Sequence, residues 1–421
     1  MKKTLLRNYA KLIARVGANV EKGQRVVITA QLDQPEFICM LAEECYRAGA
    51  ADVAVEWQSC ALEKLASRFE EVKELAAVPA WEEEKLRARA EDPPVTIKIL
   101  SSPPDAMQGA DREKLTLAEV ARSAITKQYS DAMVNRHQWC VAAVPSVGWA
   151  KKLFPLDRAG TAVEHLWELI LQVCRADGKD PLTDWMWHNR ALREKCDKVN
   201  ALHLKSLEYR SSNGTRLRVG LIPEAQFISG KKCTVGGKYF NPNIPTEEVF
   251  TTPMRGSAEG TVYAVKPLSF RGELIEDFWL RFEGGKVVEC GAARGEALLR
   301  KILSMDEGAS YLGECALVPF DSPVNETGFL FYNTLFDENA CCHLALGRGY
   351  SNTIVGFEKY GRGDFARMGV NDSSVHVDFM IGRSSASRSR ASGCPCLKRA
   401  AGAVFYDKEA IFCDRRNDLL R

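Results

Sequence analysis

The stretch QRVVITAQLDQPEFICMLAEECYRAGAADVAVEW, residues 24–57, decides the fold of the first part of the chain. QRVVITA (Gln24–Ala30) is rich in β-branched residues and reads as a strand. PEFICMLAEECYRAG (Pro35–Gly49) reads as a helix that ends in a glycine cap. ADVAVEW (Ala51–Trp57) is a second strand. Outward from it, LEKLASRFEEVKEL and AWEEEKLRARAED read as helices, and VTIKILS (Val95–Ser101) as a third strand. Strands that alternate with helices pair in parallel, which predicts an open α/β sheet. Gly23 precedes the first strand as a turn residue, but no Gly-x-Gly-x-x-Gly follows it and no Walker lysine is present. A classical dinucleotide or P-loop site is therefore excluded. Before the sheet, Leu5, Leu6, Tyr9, Leu12, Ile13 and Val16 recur at helical spacing among charges, as in an amphipathic helix and unlike a signal peptide.

At 421 residues the chain exceeds one ordinary core. The expected organisation is an N-terminal α/β domain with an open, mostly parallel sheet over residues 1–110. A larger α+β catalytic domain over 111–421 follows it. A helical region with tryptophans at 139, 149, 167, 185 and 187 leads into a β-rich part, where Leu202–Leu221 reads as a hairpin turning at Asn213-Gly214. The net charge of +2 gives no electrostatic reason to expect nucleic acid or an anionic membrane. No apolar run reaches membrane length. The 14 cysteines are scattered without a Cys-x-x-Cys pair, so a reducing cytoplasm is the simplest fit.

The chemistry gathers late in the chain. In SVHVDFMIG (Ser374–Gly382), His376 and Asp378 sit two apart in a strand-like run and face the same side. Such a pair suits a divalent metal such as zinc or cobalt, or else forms a buried His–Asp hydrogen bond without metal. NPNIPTEEVFTTP (Asn241–Pro253) carries Glu247 and Glu248 on a segment stiffened by prolines, where adjacent glutamates face opposite ways and only one can enter a site. YLGECALVPFDSP (Tyr311–Pro323) places Glu314 on a strand among apolar neighbours, a costly position unless the carboxylate is paired or metal-bound. TLFDENACCHLALGRGY (Thr334–Tyr350) reads as a helix capped by Asp337, with His343 in its apolar middle and Tyr350 just beyond its end. Taken singly, Glu314 also fits a partner of a basic residue, and His343 fits a core histidine. Of six histidines, His137, His165, His188 and His203 lie in the middle region, whereas His343 and His376 share the carboxylate-bearing part.

The segments NIPTEEVFTTP, LGECALVP, NTLFDENACCHLALGRGY and GVNDSSVHVDFMIG, in this order and spacing, resemble the signatures of the thermophilic metallo-aminopeptidase family of aminopeptidase T and aminopeptidase S type. The resemblance also takes in YAKLIARVGANVEKGQRVVI and runs to about Gly382. It implies two divalent metal ions per chain held by Glu248, Glu314, His343, His376 and Asp378. Tyr350 and Glu314 would act in catalysis, on a peptide substrate with a free N-terminus, in a homodimer. The match selects Glu248 over Glu247. Nitrogen and oxygen donors without cysteine suit zinc, cobalt or manganese. Competing expectations are a metal hydrolase of another amide or acyl substrate using the same site, and a non-catalytic protein retaining the fold. Retention of all five ligands argues against the latter. There is no His-Glu-x-x-His, which excludes a helix-borne zincin. The chain departs from the family after Gly382, where the Ser/Arg-rich stretch 383–392 is expected to form a solvated loop.

Overall fold

The computed structural model of the chain describes residues 1–270 and 272–382 and, beyond them, the strands Ala403–Phe405 and Ala410–Arg415. The Ser/Arg-rich stretch 383–392 lies outside the described residues. The alternation at the N-terminus forms the expected sheet. β1 (Arg25–Gln31), β2 (Asp52–Gln58), β3 (Val95–Leu100) and β4 (Trp139–Ala143) are parallel, in the order β2-β1-β3-β4. β4 falls inside the stretch expected to be helical. WCVAA is a five-residue apolar run, too short for periodicity to tell a strand from a buried helix. It ties the region after residue 110 to the first sheet. One compact unit comprises Met1–Met186 with Lys231–Pro245, and the other comprises Trp187–Gly230 with Thr246–Arg421. The first unit thus extends beyond the break expected at 110.

α1 (Lys3–Leu12) buries Tyr9, Ala10 and Leu12, the apolar stripe its sequence predicts. The Tyr9 hydroxyl donates to the Ala143 carbonyl at 3.0 Å, and its ring meets Phe37 and Trp167 at centroid distances of 5.5 and 6.4 Å. Burying this phenol without loss requires that hydrogen bond. Phe37 comes from α2 (Pro35–Ala48), which ends at Gly49 with φ +111°.

The second unit holds two larger antiparallel sheets. In the seven-stranded one, Leu204–Arg210 and Arg216–Leu221 are the expected hairpin, and Ala410–Arg415 pairs with Leu204–Arg210. The five-stranded sheet runs in the order His376–Met380, His343–Gly347, Leu312–Leu317, Val249–Thr251, Ile228–Ser229. His343 is therefore on a strand and not in a helix. Thr334–Asp337 is one short helical turn whose cap is Asn333, not Asp337, and a 3-10 turn over Glu338–Ala340 follows it. All five residues of HLALG are buried, so the run has no alternation to betray the strand.

Strand alternation splits this sheet into two faces. Val249, Cys315, Leu317, Leu344, Leu346, Val377 and Phe379 pack into the main apolar core of the unit. The residues between them, Glu314, His343, Ala345, His376 and Asp378, share the opposite face. Gly347 sits at its edge with φ +97°, and a Cβ there would meet the Val375 carbonyl oxygen at 2.1 Å. Gly347→Ala should cost about 1–3 kcal/mol through backbone strain alone. It should lower the melting midpoint by several degrees. An unchanged midpoint would contradict this register.

Candidate metal centre

Register places the polar residues. Glu314 stands opposite Ala345, and Ala345 opposite Asp378, so the two carboxylates share a row with a methyl group between them. His376 is opposite Gly347, and His343 is opposite Ala316 on one side and Met380 on the other. Small residues at 345 and 347 leave room above the sheet. Glu248 enters from the residue before the Val249–Thr251 strand.

The side chains converge. His343 Nε2 lies 3.1 Å from Glu248 Oε2. His376 Nε2 lies 3.0 Å from Glu314 Oε2 and 3.2 Å from Asp378 Oδ1. Two groups result, Glu248–Glu314–His343 and Glu314–His376–Asp378, each with ligand atoms within 4.8 Å of one another. Glu314 belongs to both. The other nitrogen of each imidazole is tethered to the backbone, His376 Nδ1 to the Arg348 carbonyl at 2.7 Å and His343 Nδ1 to the Cys341 carbonyl at 3.3 Å. A carbonyl can only accept, so each Nδ1 carries the proton and each Nε2 presents its lone pair to the cluster in the neutral ring. Histidines that bind metals are oriented in this way.

The structure brings together all six residues singled out from the sequence. The Tyr350 hydroxyl lies 3.3 Å from His376 Nε2, and its ring packs edge-on against Phe250 at 5.4 Å. One carboxylate was missed. Glu338 is buried, and its charge acts on the same group. An acid in an otherwise apolar approach to His343 was the available signal, but Asp337 beside it was taken for a helix cap. Asp337 instead accepts the backbone N–H of Phe331 at 2.8 Å and of Asn333 at 3.0 Å. Glu247 points elsewhere, toward His188 Nε2 at 3.9 Å. His165 pairs with Asp157 at 2.8 Å, in the first unit.

Electrostatics follow from the crowding. Burial, then the charges of Asp378 and Glu248, push the Glu338 carboxyl well up. Burial, then the charge of Glu248, also raises Glu314, although His376 opposes the rise. Burial works against a charged His343, but the hydrogen bond to Glu248 and the surrounding carboxylates outweigh it and push the ring up to about 10. Burial, then the carboxylates of Glu314 and Asp378, hold the Tyr350 hydroxyl well above its usual range, so it stays protonated. Four buried carboxylates, Glu248, Glu314, Glu338 and Asp378, face two imidazoles. Such an excess of buried negative charge calls for cations. The donor set is all oxygen and nitrogen and fits divalent ions.

The chain is similar to known proteins over most of its length. The model of the family described as Thermophilic metalloprotease (M29) matches residues 2–389. Aminopeptidase T of Thermus thermophilus is 41% identical over 90% of this chain and 92% of its own length. Aminopeptidase AmpS of Bacillus subtilis is 37% identical over 90% of this chain and 92% of its own length. The solved structure of wild-type AmpT from Thermus thermophilus superposes with a TM-score of 0.82 at 39% identity, covering 90% of this chain and 93% of that one.

The adjacent glutamates provide a test of the site. Glu248→Gln should lower the divalent-metal content of the purified protein by a large factor. Glu247→Gln, whose side chain faces His188, should leave it unchanged. The reverse result in metal analysis would show that the register of this segment is wrong.

Proposed function

Because the chain belongs to the thermophilic metalloprotease family, we propose that it is an aminopeptidase whose centre holds two divalent metal ions. The ligands are Glu248, Glu314, His343, His376 and Asp378, with Glu338 as a fourth carboxylate at the same centre. The observation that supports the dinuclear reading is that Glu314 belongs to both ligand groups, so that it would be a ligand common to the two sites. Zinc, cobalt and manganese suit these donors. The catalytic chemistry is assigned to the second unit.

Bound ions supply Lewis acidity that makes water a nucleophile near neutral pH and polarises the scissile carbonyl. The protein groups do the rest. Glu314, which would hold metal through one oxygen, would use the other to take a proton from the attacking water and return it to the leaving amine. The protonated Tyr350 hydroxyl donates to the oxyanion of the tetrahedral species. The relatives are named aminopeptidases, which supports a peptide with a free N-terminus as the substrate. The two tethered imidazoles keep their lone pairs aimed at the centre throughout.

The reading extends to a cytoplasmic homodimer. Cysteines among the described residues are free thiols, many of them buried, which supports a reducing compartment. No helix among the described residues is long and apolar enough to cross a membrane. The dimer rests on the family resemblance.

Chelation should abolish hydrolysis of amino-acyl reporter substrates, and an added divalent ion should restore it, with two metal equivalents per chain at full activity. N-acetylated substrates should resist cleavage. Full activity in metal-free protein would sink the proposal, and full activity with one equivalent would sink its dinuclear form. His376→Ala should lower kcat by orders of magnitude in folded protein, whereas His165→Ala should leave it near that of the unaltered chain. Equal loss in both, by a steady-state assay, would mean that the site is misplaced.

A further inference from the structure

Asn339 has no exposed surface and joins the two segments that carry the outer carboxylates of the centre. Its Oδ1 accepts the Glu247 N–H at 2.7 Å, from a residue 92 positions away in the chain. Its Nδ2 donates to the Leu335 carbonyl at 2.9 Å and lies 3.5 Å from Glu338 Oε1. Its own carbonyl accepts the Ser322 hydroxyl. An N–H must meet an acceptor and a carbonyl must meet a donor, so the partners fix which end of the carboxamide is which. Glu247 immediately precedes Glu248. Asn339 immediately follows Glu338 and precedes the His343–Gly347 strand. One rigid amide therefore sets the spacing between the Glu248 backbone and the segment that bears Glu338 and His343.

We propose that Asn339 is a positioning residue of the metal centre, whose neutral carboxamide holds Glu248 in place against Glu338 and His343 before any cation arrives. The inference rests on the reading of this cluster as a metal site. The residue type follows from the task. Aspartate could still accept from Glu247, but it could not donate to Leu335 or Glu338, and it would add another negative charge to a cluster already rich in them. An alkyl side chain would leave the buried Glu247 N–H without its acceptor. Only an amide serves a donor on one side and acceptors on the other without changing the charge that the cations must balance.

The test reads metal affinity by competition with a chelator of known affinity, using zinc as the probe, on the full chain. Asn339→Asp and Asn339→Ala should bind zinc about 10–100-fold more weakly, as for other groups that orient ligands without touching the metal. Ser322→Ala loosens the same segment by removing the bond to the Asn339 carbonyl but keeps the carboxamide, so it should lower the melting midpoint and leave zinc affinity unchanged. In the unaltered chain stripped of metal, the Glu247 amide should remain protected in hydrogen exchange, a measurement that needs no variant to fold. Unchanged zinc affinity in both Asn339 variants overturns the inference. So does an equal loss in Ser322→Ala, or free exchange of the Glu247 amide in metal-free protein. If the unaltered chain binds no zinc, or His376→Ala binds it as tightly, the metal-site reading fails and takes this inference with it. Tight, His376-dependent binding that ignores Asn339 removes the inference alone.

Discussion

Four carboxylates buried together, Glu314 and Asp378 on one face of a sheet and Glu248 and Glu338 from segments beside it, are the constraint on which the rest of the second unit depends. Glu248, Glu314, Glu338 and Asp378 have little access to water, and two imidazoles offer at most partial compensation. Burial first, and then the repulsion within a cluster of one sign, push Glu314 and Glu338 up. The imidazoles and Asn339 hold them only in part. They stay close because the strands beneath them are fixed by an apolar core on the reverse face, from Val249 through Leu317 and Leu346 to Phe379. The hydrophobic face thus confines charges that would otherwise separate, and the confined charges create the affinity for cations.

The same division of labour recurs at smaller scale. Each imidazole gives one nitrogen to a backbone carbonyl and keeps the other for the cluster. Ala345 contributes by what it lacks, since a longer side chain between Glu314 and Asp378 would fill the space above the row. Asn371 shows the pattern away from the charges. It donates to the Gly308 and Gly347 carbonyls at 2.8 and 2.6 Å and fastens the edge where Gly347 turns toward Arg348, whose carbonyl holds His376.

The α/β alternation at the N-terminus was legible because each strand and helix there is long enough to show its period and its cap. The His376–Asp378 pair was legible because strand alternation is a local rule. Between Glu247 and Glu248, spacing said only that one of them enters, and the resemblance chose Glu248, the one the structure sets 3.1 Å from His343. What was not legible had no local mark. β4 is a short apolar run inside a helical region. His343 lies in a run buried along its whole length, so its strand looked like a helix interior. Glu338 was hidden by its acidic neighbour Asp337. His188 meets the Thr246 carbonyl and Asn339 the Glu247 N–H, partners 58 and 92 positions away, which no window along the chain contains.

The ligands span a long interval of sequence, and this has a consequence for biosynthesis. Glu248 leaves the ribosome well before Asp378, and the strand that carries His376 and Asp378 is an edge of its sheet among the described residues, paired there with the His343–Gly347 strand. A nascent chain that ends before residue 376 holds Glu248, Glu314 and His343 but not the second group. Completion of the second ligand group is therefore tied to the arrival of one late strand. Two of the three ligands of that group come from this strand, so the order of synthesis is also the order in which the two ligand groups are assembled.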